Sequence, residues 1–131
     1  MLRTEPLRLL LVEDEALIAM DLEAMIEDMG YCVIGPAASV DQALTILGDL
    51  PIPPDAAIVD ANLGGSSARP VVEALQTANV PTVIASGYEA SELEGMGLKS
   101  LFLRKPYNAE TVETALHHAL NGIELAPGQE L

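Results

Sequence analysis

Four apolar runs in this chain end in groups that can do chemistry. Leu9-Leu10-Leu11-Val12 leads into Glu13-Asp14, Ile58-Val59 into Asp60, Val83-Ile84-Ala85 into Ser86, and Leu101-Phe102-Leu103-Arg104 into Lys105-Pro106. In an open parallel α/β sheet, ligands bind in the crevice at the carboxyl ends of the strands. If each run is such a strand, three carboxylates, a hydroxyl and an ammonium meet in one place. A carboxylate cannot receive an anionic phosphoryl group beside two further acids unless a cation intervenes. The set therefore suits Mg²⁺ and a phosphoryl group together.

The elements that must hold these groups follow from hydrophobic spacing. Leu7 to Val12, interrupted only by Arg8, reads as a strand covered on both faces. Between Glu15 and Met29, Ile18, Leu22, Met25 and Met29 recur at helical spacing, and Gly30 is the stop. Tyr31 to Gly35 is the second strand. Ser39 is the N-cap of a second helix that carries Val40, Ala43, Leu44 and Leu47, and Pro51, Pro53 and Pro54 end it. Ala56 to Val59 is the third strand, Gly64-Gly65-Ser66 a loop, and Val71, Leu75 and Ala78 the buried stripe of a third helix. Pro81 to Ala85 and Lys99 to Leu103 are the fourth and fifth strands. Val112, Ala115, Leu116, Ala119 and Leu120 mark an amphipathic last helix ended by Gly122. Tyr88 to Gly97 offers only Leu93 and Met96 as large aliphatics and carries Gly95 and Gly97, so a fourth helix there should be short or labile. Five βα units with right-handed crossovers predict a three-layer α/β sandwich around a parallel sheet.

Composition narrows the function. With 6 Lys+Arg against 20 Asp+Glu, the net charge of −14 argues against a nucleic-acid surface. No basic segment precedes a long apolar region and no apolar stretch approaches a membrane span, so neither secretion nor membrane insertion is expected. Cys32, alone among apolar neighbours, reads as a buried inert thiol in a reducing cytoplasm. His117 and His118 fall on the polar side of the last helix and read as solvated. One domain over residues 1–122 and a flexible tail over 123–131 are expected.

The ordered set Glu13-Asp14, Asp60, Ser86-Gly87 and Lys105-Pro106 at successive strand ends resembles the receiver domains of bacterial two-component response regulators, the CheY-like family, over Leu7 to about Asn121. More narrowly, Asp60-Ala61-Asn62-Leu63-Gly64-Gly65, Val80 to Tyr88 and Leu103-Arg104-Lys105-Pro106 look like the single-domain receivers whose fourth strand reads Phe-Ala-Thr-Gly-Tyr, with Ser86 in place of the threonine. That subgroup is associated with histidine kinases of the HWE class and tends to have a poorly formed fourth helix. The resemblance implies a flavodoxin-like (βα)5 fold of strand order 2-1-3-4-5.

On this resemblance Asp60 is the phosphoacceptor, and its carboxylate becomes an acyl phosphate. Mg²⁺ would be held by Asp14, Asp60 and the backbone carbonyl of Asn62, with Glu13 acting through water. Lys105 would meet the phosphoryl oxygens, Ser86 would sense the phosphate, and Lys105-Pro106 is a candidate cis peptide. Phe102 is either the aromatic that turns inward on activation or plain core. The implied partners are a histidine kinase or histidine phosphotransfer protein and a downstream protein target, with no nucleic acid or membrane and a monomer or weak dimer. Without an output domain in the sequence, the chain would signal through the face of its fourth and fifth strands and helices, or drain a kinase as a phosphate sink. It would not be an enzyme in the ordinary sense. Blander readings stand beside these: a turn at Asp60, a helix cap at Glu13-Asp14-Glu15, strand punctuation at Lys105-Pro106. A small Mg²⁺-dependent phosphohydrolase is the alternative of a different class, but its usual second aspartate two residues on is Asn62 here.

Overall fold

The structure, a computed structural model, describes residues 5–87 and 101–121. Strands β1 (Arg8–Val12), β2 (Cys32–Ala37), β3 (Ala56–Asp60), β6 (Thr82–Ser86) and β7 (Leu101–Arg104) form one sheet in the order β2-β1-β3-β6-β7. Every pairing in it is parallel. Helices α1 (Ala16–Asp28), α2 (Val40–Asp49), α3 (Arg69–Thr77) and α4 (Ala109–Leu120) cover its faces. This is the doubly wound arrangement expected from the alternation, with the strand order of the flavodoxin-like receiver fold. The expected labile helix over Tyr88 to Gly97 and the stop at Gly122 lie outside the described residues.

The sheet is buried on both sides because successive β1 residues serve opposite layers. Leu9 and Leu11 join Ile58, Val83, Leu22, Ile26, Val112 and Leu116 under α1 and α4. Leu10 and Val12 join Ala57, Val59, Ala43, Val71 and Leu75 under α2 and α3. Each fully buried Leu or Ile contributes roughly 1.5–3 kcal/mol relative to exposure, so this double layer outweighs any local propensity. Local signals then set the boundaries. Ser39 Oγ accepts from the N–H of Gln42 at 3.1 Å, opening α2. Gly30, at φ +95°, ends α1 by donating to the Glu27 carbonyl at 2.9 Å.

Several details depart from expectation. β2 runs past Gly35 to Ala37, through a cis Gly35–Pro36 peptide and a register shift against β1. Gly64-Gly65-Ser66, read as loop, belong to a small hairpin of β4 (Asn62–Leu63) and β5 (Ser66–Ser67). Ala78 is exposed because α3 ends at Thr77, whereas Val72 is buried against Ala61, Ile84 and Phe102. Cys32 is exposed, not buried: it is the first residue of the outermost strand, with sheet on one side only. His118 is half-buried with its Nδ1 enclosed, so only His117 is the solvated residue expected.

Candidate functional site

Parallel strands of similar length bring their last residues to one edge, and there the four runs deliver their polar ends. Asp60 closes β3 and Ser86 closes β6; both are buried. Glu13 follows β1, and its N–H donates to the Ala37 carbonyl at 2.9 Å, so strand pairing carries on through the acidic residue. Lys105 follows β7 and is fixed by its N–H to the Ser86 carbonyl at 2.8 Å. The Lys105–Pro106 peptide is cis. Asp14, Asp60, Asn62, Ser86, Gly87 and Lys105 line an open cleft of about 500 Å³.

At the cleft Glu13, Asp14 and Asp60 each have a defined partner. Lys105 Nζ donates to Asp60 Oδ2 at 2.8 Å and to Glu13 Oε1 at 3.4 Å. Asp60 Oδ1 accepts from the Asn62 N–H at 3.1 Å, and Glu13 Oε2 from the Glu15 N–H at 3.2 Å. Asp14 Oδ2 accepts from the Gly64 N–H at 2.9 Å. All the candidate residues except Phe102 therefore converge. Phe102 pairs with Ile84 in the sheet and packs with Ala61 and Val72, one layer beneath the cleft.

The site is short of positive charge. Burial, and then a hydrogen bond shared with Asp60, push the Glu13 carboxyl up to about 7, against the smaller opposing pull of the Glu15 N–H and Lys105. Burial works against the Lys105 ammonium, but the bond and charge of Asp60, then Glu13, raise it overall. One oxygen each from Glu13, Asp14 and Asp60 lie within 4.8 Å of one another. Three hard oxygen donors this close fit a small divalent ion such as Mg²⁺.

Some features were not anticipated. The Gly64 N–H reaches Asp14 across fifty positions of sequence. Nothing in the residue types signals such a backbone contact. Tyr107, two residues after Lys105, does carry a signal in its spacing. Burial first, then the charge of Glu13, pushes its hydroxyl up to about 12. With Ile18, Asp21, Met25 and Pro106 it lines a second hollow of about 400 Å³ that shares Lys105 as a wall.

No family model matches the chain. The phyllosphere-induced regulator PhyR of Methylorubrum extorquens is 35% identical over 115 residues, 86% of this chain and 43% of that protein, so the chain spans under half of its curated relative. The solved structure of SdrG from Sphingomonas melonis Fr1 is 36% identical, with a TM-score of 0.71 over 88% of this chain and 97% of that one. A response regulator receiver protein from Sinorhizobium medicae WSM419 is 28% identical, with a TM-score of 0.74 over 91% of this chain and 98% of its own. Sheet order, strand-end chemistry and these relatives converge, and the chain belongs to the CheY-like response regulator receiver domains.

Proposed function

We propose that Asp60 accepts a phosphoryl group from a phosphohistidine of a histidine kinase, of the HWE class, or of a histidine phosphotransfer protein. The observation that carries this is the contact of Lys105 Nζ with Asp60 Oδ2 at 2.8 Å beside two further acids. An Asp60 oxygen attacks phosphorus as the bond to the imidazole nitrogen breaks, and the bonding electron pair leaves with the imidazole. Asp14, Asp60 and the Asn62 carbonyl would hold Mg²⁺ directly and Glu13 through water. The ion supplies neutralisation of the phosphoryl charge. Lys105 then moves its ammonium from Asp60 Oδ2 to a phosphoryl oxygen, and the Ser86 hydroxyl donates to another.

That last contact would pull the end of β6 toward Asp60 and change the surface offered to a partner. On this reading the domain acts as a regulator in a phosphorelay, either presenting its switched face or draining a kinase. Asn62 two residues after Asp60, its N–H already on Asp60, leaves a phosphohydrolase without its general acid. Among the described residues no helix is long and apolar enough to cross a membrane.

Intact-mass analysis with a small phosphodonor and Mg²⁺ tests the reading. Wild type gains one phosphoryl group and Asp60→Asn gains none; failure of wild type removes the claim, and equal gain by the variant moves the acceptor elsewhere. Ser86→Ala should still be phosphorylated but should lose the phosphorylation-dependent shift of β6 amide resonances.

A further inference from the structure

The hairpin after β3 is more ordered than a connecting loop requires. Gly64 and Gly65 have φ of +61° and +88°, the signs of a two-residue type I′ turn. A Cβ at either position would meet nothing within 4 Å, so glycine serves conformation there and not space. Leu63, 4% exposed, pins the hairpin into the layer of Leu10, Val12 and Val59. Gly65 N–H donates to Asn62 Oδ1 at 2.8 Å, closing the turn from inside. The Gly64 N–H is thus aimed at Asp14 Oδ2 by a hydrogen-bonded turn between paired strands.

Resting on the ion site proposed above, we infer that Gly64 is a positioning residue for Asp14 that makes the site select Mg²⁺ over Ca²⁺. With Oδ2 accepting from the Gly64 N–H, Asp14 is biased toward meeting a cation through its other oxygen alone rather than chelating it with both. Asp60 differs: both its oxygens are engaged, one by the Asn62 N–H and the other by Lys105 Nζ, so the restriction to one oxygen belongs to Asp14. Carboxylates held to single-oxygen ligation suit an octahedral ion that keeps its waters. Ca²⁺ takes 6–8 oxygens, often through bidentate carboxylates, and gains less from such a site. Hydrogen-bond partners behind metal ligands typically govern affinity about 10–100-fold.

The test is calorimetric titration of the unphosphorylated protein with MgCl₂ and with CaCl₂. Gly64→Pro removes the N–H and forbids the positive φ; Gly64→Asn keeps the N–H and tolerates the turn. Gly64→Pro should weaken Mg²⁺ binding about tenfold while Ca²⁺ binding changes less than about threefold, and Gly64→Asn should restore wild-type selectivity. Unchanged Mg²⁺ affinity and selectivity in a folded Gly64→Pro protein would overturn the inference and leave the ion site standing. Wild type that binds no Mg²⁺ would instead remove the ion site itself. Should Gly64→Pro fail to fold, amide exchange decides: Asp14→Ala should speed Gly64 exchange about tenfold and leave Gly65 unchanged, whereas unaltered Gly64 exchange overturns the inference.

Discussion

Lys105 meets two acids from the ends of the adjacent strands β1 and β3, 2.8 Å from Asp60 and 3.4 Å from Glu13. Its ammonium is partly exposed while both carboxylates are nearly enclosed, so one accessible cation offsets two buried anions. A single positive charge cannot satisfy that pair and Asp14 as well.

Proton and metal ion should compete for Glu13. Its carboxyl lies near 7 where 4.5 is ordinary, so below neutrality a proton must leave before the site is fully anionic. Mg²⁺ affinity is expected to fall by up to about tenfold per pH unit below 7 and to level off above it. The ion-free fold has the complementary sign. A raised carboxyl pKa stabilises fully below 4.5, and that contribution is lost as pH climbs through about 7. Calorimetric titrations and melting curves between pH 5 and 8 check both limbs, and Glu13→Gln should flatten each. A pH-independent Mg²⁺ affinity would contradict the assignment.

Lys105→Met should move metal binding and phosphorylation in opposite directions. Without the ammonium, Asp60 Oδ2 and Glu13 Oε1 lose their partner and the site becomes more anionic. Mg²⁺ should bind about three- to tenfold tighter, while initial phosphorylation slows by at least about tenfold because the phosphoryl oxygens lose a positioned donor. If both rates and affinities stay at wild-type values, Lys105 has no part in the chemistry.

Phe102 as core and Phe102 as switch are separated by stability read together with resonance shifts. It is 9% exposed and packs on Ala61, Val72 and Ile84. Phe102→Ala should cost about 3 kcal/mol and Phe102→Leu under about 1.5 kcal/mol, measured by urea denaturation. A purely core residue leaves the phosphorylation-dependent resonance shifts intact in the Leu variant; their loss there would point to a role in transmission.

At the second helix, Ser39→Ala should cost about 1 kcal/mol, since it orphans the Gln42 N–H that Ser39 Oγ now satisfies. Ser39→Asp should restore most of it. Both are read from the midpoint of thermal unfolding, and a silent Ser39→Ala would mean that solvent caps this helix equally well.

The strands and the chemistry at their ends were legible because each depends on one local rule repeated along the chain, whereas the sheet order came only with the family resemblance. β1 is apolar on both faces, so Leu9 to Val12 could only be an interior strand. The acids, Ser86 and Lys105 follow their strands directly, so their meeting needed only parallel pairing. Long-range geometry was not legible. Cys32 looks like core from its neighbours, and only the position of β2 at the sheet edge exposes it. Ala78 keeps the helical spacing of Val71 and Leu75, but α3 stops one residue earlier. Gly64-Gly65 announces a turn; that its first N–H ends on Asp14 depends on the β4–β5 hairpin lying beside the segment between β1 and α1, which no local pattern encodes.

The placement of Cys32 has a practical reach. It is the one sulfhydryl of the chain, open to solvent, and its strand partner Arg8 begins β1 at the pole opposite Glu13. A maleimide dye attached there would sit a strand's length away from the acidic cleft, at roughly 3.3 Å per residue. The molecule thus offers a natural handle for immobilisation or single-molecule spectroscopy that leaves the chemical pole facing the solution.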